Sequence, residues 1–180
     1  MRLPLLLTAA ALLHVAAPDP GTDRPVVVTR VVHDSMNAVF TRSNEHWNEL
    51  QDVNTLTQML GTDKPTQREF LGCLQGELRK DTLWVDQWTP ARNMKQLQFA
   101  VTGDCDGLPR LVGTFHTHPF RAEPETNKAL KEPELSRQDL TTFSRSTDLV
   151  SMALWDADSA DVAVKSKDGE VIHPATLIVR

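Results

Sequence analysis

The sequence predicts a single mixed α/β domain, and three observations carry that reading. Short runs rich in Val, Thr, Leu and Trp recur through most of the chain. A long stretch of helical periodicity precedes most of them, and a second, shorter helix falls late. With 180 residues, 40% of them hydrophobic and 24% charged, the chain can bury one sizeable core. No internal repeat or low-complexity tract divides it.

The chain opens with MRLPLLLTAAALLHVAAPDP, in which one positive charge precedes an apolar run that ends in small residues. That is the pattern of a signal peptide over residues 1–17. At 1.5 Å per residue the run falls short of a hydrocarbon core of about 30 Å, so no stable membrane span is expected after cleavage. The expected location is exported, periplasmic or secreted, with an uncleaved N-terminal anchor or a cytoplasmic location as alternatives. Residues 18–25 read as a short polar linker and residues 26–180 as the folded domain.

Val26, Val27, Val28, Val31 and Val32 form a β-branched run suited to a buried strand, before Asp34 and Ser35 offer helix N-caps. Met36, Phe40, Trp47, Leu50, Val53, Leu56 and Leu60 then recur mainly every three or four residues. This predicts helix to about residue 60, with Ser43 as a possible second cap and Gly61 as the stop. After the GTDKP turn, strands are expected at residues 68–78, 82–88, 96–102 and 110–115, divided by KD, TPARN and GDCDG. A helix at residues 136–145 follows, then strands at 149–155, 162–165 and 171–179. Asp168-Gly169 marks a hairpin turn.

Nineteen basic against twenty-four acidic side chains give a net charge of −5, with no Lys/Arg block. Nucleic acid is therefore not an expected partner, and neither is an anionic membrane surface. Cys73 and Cys105 are too few for a disulfide scaffold and make no CxxC pair. In an oxidising compartment they could bridge; otherwise they are two partly buried thiols. Asp156, Asp158 and Asp161 lack the Gly and bidentate Glu of a calcium loop and read as a solvated turn. His33, His46 and His173 have no ligand pattern, and Trp84, Trp88 and Trp155 read as core or groove-wall residues.

The chemistry concentrates at Thr114-Phe115-His116-Thr117-His118-Pro119. Strand side chains two apart share a face, so His116 and His118 can meet one metal ion. A third ligand is available in Asp139, one helical step from Ser136. The same two residues also fit a plain helix start, with Ser136 as N-cap and Asp139 as a first-turn carboxylate. Two imidazoles and a carboxylate leave one tetrahedral position open, as a catalytic zinc site requires.

These residues resemble the JAMM, or MPN-type, zinc metalloproteases, whose pattern is a distant Glu, then HxHP, then SxxD. Here it reads Glu69, His116-Thr117-His118-Pro119 and Ser136-Arg137-Gln138-Asp139. The stretch from Glu69 to Gly76 is similar to the family's E-x-x-G-x-L-x-G strand. The resemblance implies a mixed sheet flanked by helices, like the deaminase-type arrangement, over nearly the whole mature chain. It implies that His116, His118 and Asp139 bind one Zn2+ per chain. Glu69 would act as general base on the zinc-bound water, and Ser136 would stabilise the oxyanion. The reaction would be hydrolysis of a peptide or isopeptide amide in a protein or peptide substrate. A non-catalytic binding module that keeps the metal site, or a metal-storing or sensing protein, are the other classes the motif admits.

The connection over residues 119–135 is longer than the family's usual link and mostly charged and polar. It is expected to be a surface loop, with a short helix near residues 126–131 and a possible lid role. The insertions that shape ubiquitin grooves in the family have no recognisable equivalents here, so ubiquitin specificity is not implied.

Overall fold

The computed structural model describes residues 24–44, 68–97, 100–122 and 128–180. The predicted signal peptide, most of the linker, and the helical stretch after residue 44 with Trp47, Leu50, Val53, Leu56 and Leu60 lie outside these residues. The described chain is mixed α/β and mostly sheet. In chain order it runs β1 (Val26–Val28), α1 (Arg30–Ser43), β2 (Leu71–Arg79), β3 (Thr82–Pro90), β4 (Arg92–Gln96), β5 (Val101–Asp104) and β6 (Leu111–Thr117). It continues with β7 (Arg121–Ala122), β8 (Ala129–Leu130), α2 (Arg137–Arg145), β9 (Val150–Asp156), β10 (Ser159–Lys165), β11 (Val171–Ile172) and β12 (Leu177–Val179).

The valine run is not one strand. Only Val26, Val27 and Val28 extend, all buried, and the helix starts at Arg30 with Thr29 as its N-cap, accepting from the Val32 amide at 3.4 Å. Capping by the Thr29 hydroxyl, five residues earlier than Asp34, overrides the β-propensity of Val31 and Val32. It also sets the helix phase. Val32, Met36, Val39 and Phe40 are buried, whereas Val31 faces out. Ser43 is the last residue of α1, its hydroxyl donating to the Val39 carbonyl at 3.1 Å, and the second helix it is expected to cap lies outside the described residues.

Eight strands form one mixed sheet in the order β11-β10-β9-β6-β2-β3-β1-β12, with β6/β9, β1/β3 and β1/β12 parallel. The expected strand at 171–179 is split between its two edges. Ala175 donates its amide to Val162 in β10, while the next residue, Thr176, accepts from Val26 in β1. One short link thus touches strands near both ends, and the five residue steps from Ile172 to Leu177 span less than about 19 Å even fully extended. The sheet must therefore curl. The apolar core draws from both ends of it, joining Val26, Leu83, Phe115, Met152 and Val164 with Val32, Met36 and Phe40 of α1. α2 packs elsewhere, with Phe143 and Leu135 against Ala153 of β9 and Ala163 of β10.

Two further expectations are corrected. The expected strand at residues 96–102 is divided between two strands. Gln96 ends β4 while Val101 and Thr102 open β5, antiparallel to it, because the chain at TPARN runs on into β4 instead of turning; residues 98–99 lie outside the described residues. Around residues 126–131, Ala129 and Leu130 pair with Arg121 and Ala122 as strand, not helix. Cys73 of β2 and Cys105 are joined by a disulfide with Cα atoms 5.6 Å apart, pinning the end of the β4–β5 hairpin to the sheet. Among the described residues no helix is long and apolar enough to cross a membrane.

Candidate metal centre

β6 sits in the middle of the sheet between β2 and β9. Phe115 points to the α1 side, where its ring packs edge-on against Trp88 at 5.2 Å, and the Thr117 hydroxyl on that side donates to Ser43 at 3.2 Å. Alternation puts His116 and His118 on the opposite face, the α2 face. His118 lies one residue beyond β6 but stays in the ladder, its amide donating to the Leu154 carbonyl at 2.8 Å. Close approach of β2 depends on Gly72, where a Cβ would fall 2.1 Å from the Phe115 ring. A side chain there would push the strand that carries the two histidines.

β2 runs antiparallel to β6 with Leu71 opposite His116, and the Thr117 amide donates to the Phe70 carbonyl at 3.0 Å. Continuing that register sets Glu69 beside His118. The β4–β5 hairpin holds Glu69 from the other side. The Glu69 amide donates to the Leu97 carbonyl at 3.1 Å, and its carbonyl accepts from the Gln96 side chain at 2.9 Å. Glu69 is only 7% exposed. Burial pushes its carboxyl up to about 7, aided by the charge of Asp139 and opposed mainly by His116.

α2 brings the remaining residues. Ser136 is its N-cap and forms a complete capping box with Asp139. The Ser136 hydroxyl accepts from the Asp139 amide at 3.2 Å, and Asp139 Oδ2 accepts from the Ser136 amide at 2.8 Å. The plain helix-start reading of this pair is therefore realised. It does not exhaust Asp139, because the same Oδ2 lies 3.6 Å from His116 Nε2 and 4.0 Å from His118 Nε2. Burial raises the Asp139 carboxyl, but His116 and Ser136 outweigh it and hold the group well below the usual carboxylate range. His118 is shifted the other way. Burial, with His116 beside it, lowers its pKa and so favours the neutral imidazole.

The two imidazoles face each other with Nε2 atoms 2.9 Å apart, and one potential ligand atom from each of His116, His118 and Asp139 lies within 4.8 Å of the others. A tetrahedral ion with ligand bonds of about 2.0–2.1 Å sets its ligand atoms about 3.3 Å apart. The observed spacings of 2.9, 3.6 and 4.0 Å bracket that value. His118 Nδ1 donates to the Glu132 carbonyl at 3.1 Å, which leaves Nε2 with the lone pair a metal needs. The donor set therefore fits a divalent ion.

All five residues singled out in the sequence, Glu69, His116, His118, Ser136 and Asp139, line one open groove of about 930 Å³. Its walls are residues 100–103 of the hairpin, the segment around residues 130–134, and α2. Three contributors carry no sequence signal. The Glu132 carbonyl is a backbone group that any residue could offer, the hairpin wall is non-local, and Arg121 joins through an ion pair with Glu132 at 2.6 Å. The 119–135 connection thus supplies a wall of the groove and a hydrogen-bond partner for His118. His173, which has no ligand pattern in the sequence, pairs with Asp161 at 2.6 Å. No protein-family model matches the chain, and no curated protein matches it.

Proposed function

We propose that this chain is a zinc-dependent metallopeptidase of the JAMM, or MPN-like, type, hydrolysing a peptide or isopeptide amide. The observation that carries the reading is the convergence of His116, His118 and Asp139 at metal-ligand spacing beside a buried glutamate with a pKa of about 7. A glutamate so tuned can exchange protons near neutral pH, which a surface glutamate cannot do effectively. Zinc held by the two Nε2 atoms and the Asp139 carboxylate would supply Lewis acidity, polarising a carbonyl and acidifying water. Glu69 then accepts a proton from water at its carboxylate and returns it to the departing amine, so that no net proton is consumed. The Ser136 hydroxyl accepts from the Asp139 amide, leaving its own proton free to donate into the groove toward a developing oxyanion.

The open groove suits an extended protein or peptide substrate, and the Cys73–Cys105 disulfide supports an exported, oxidising setting. The test is Glu69→Gln against the wild type on mixed peptide and isopeptide substrates, both loaded with one equivalent of zinc. Hydrolysis by the wild type and a loss of 10²–10⁴-fold in the variant, with zinc retained, are the expected results. Zinc retention with no hydrolysis by the wild type on any substrate would favour a metal-keeping binding module instead.

A further inference from the structure

We propose that Asp161 is a positioning residue for the metal centre, acting through the entry to α2; the proposal rests on the metal reading above. Asp161 lies on β10, opposite Ala153 of β9, and so on the face against which α2 packs. Its Oδ2 accepts two hydrogen bonds, from the Leu135 amide at 2.7 Å and from His173 Nε2 at 2.6 Å, and its Oδ1 accepts from the Val162 amide at 3.1 Å. The carboxylate is thus held from its own strand and from the link between β11 and β12, and its grip falls on one point of α2.

That point is the residue before the N-cap. Leu135 is buried and packs in one cluster with Leu140, the N′ and N4 pair of a hydrophobic staple. Next comes Ser136, whose amide donates to Asp139 Oδ2, the oxygen that faces both histidines. Moving the Leu135 amide moves the Ser136 amide, and with it the hydrogen bond that aims the metal-facing oxygen. A carboxylate used only to satisfy a buried amide would leave the metal site indifferent to its replacement. Asp161→Asn replaces one carboxylate oxygen by an amide NH2. The side chain then cannot accept at both the Oδ1 and Oδ2 positions, and an NH2 at the latter opposes the Leu135 donor.

The probe is cobalt(II), whose visible bands report ligand geometry, titrated into the metal-free full chain and into Asp161→Asn, with far-UV circular dichroism on each. The expected result is a folded variant that binds cobalt at least 10-fold more weakly, with altered bands. Equal affinity and identical bands would overturn the positioning role while leaving the metal reading intact. If the wild type itself binds no cobalt, the metal reading fails and this proposal with it. If Asp161→Asn does not fold, His173→Ala decides. It removes one of the two donors to Oδ2 and keeps the Leu135 bond, so a loss of a few-fold in cobalt affinity supports the role and an unchanged affinity overturns it.

Discussion

At the scale of single residues, Glu69 shows most directly how the fold changes a side chain's chemistry. Its backbone is fixed on both sides, by the β4–β5 hairpin and by the continuation of the β2–β6 ladder, and its carboxyl is buried beside Asp139. In the unfolded chain the group releases its proton near pH 4.5, and in the folded chain near 7. The folded state therefore holds the extra proton between those values, so this stabilisation is full below the lower one and lost as pH rises through the upper. The metal-free wild type is expected to lose about 2 kcal/mol more than Glu69→Gln between pH 5 and 8, a figure reduced for solvent entering the groove. Urea melts of both chains at the two pH values check it, and parallel curves would contradict it. Spacing makes His116, His118 and Asp139 candidates, because alternation and helical steps are local rules, and the resemblance to a known motif joins them into one set. The proton affinity of Glu69 could not, because it comes from burial by segments distant in sequence.

At the scale of elements, the same division separates what was readable from what was not. α2, β2, β3, β6, β9 and β10 fall close to their expected spans, each marked by its own alternation or cap. The errors come where a local signal is weaker than a tertiary one. The valine run yields to the Thr29 cap and the core-facing phase of α1, and the 171–179 stretch splits because the curled sheet uses its two halves at opposite edges. The β4–β5 hairpin, missed as a unit, forms a groove wall and is tied to β2 through Cys73 and Cys105, which are 32 residues apart in sequence. Closing a loop of that length stabilises the fold by about 3–4 kcal/mol in the chain-entropy account. The Cys73→Ser, Cys105→Ser double variant should lose stability of that order in denaturant melts, with hydrogen exchange rising most at residues 100–104. Unchanged exchange in the hairpin would show that the disulfide does not hold the groove wall.

Across the whole molecule, the architecture explains why Asp139 meets His116 and His118, which precede it by more than twenty residues. The central pair β6 and β9 is parallel, so the chain must cross over the sheet between them, and α2 lies on that crossover. The crossover brings the N-terminus of α2, with Asp139 at its third position, over the face of β6 that bears His116 and His118. Curling of the sheet gathers α1 and the strand core on the other side, leaving this face to the groove. The central claim is that this face holds a metal ion, and elemental analysis of the chain equilibrated with zinc and then freed of unbound metal tests it most directly. The prediction is about one zinc per wild-type chain, retained in Glu69→Gln and lost in His116→Ala and Asp139→Ala. A wild type that holds no zinc, or variants at His116 and Asp139 that hold as much as the wild type, would contradict the account.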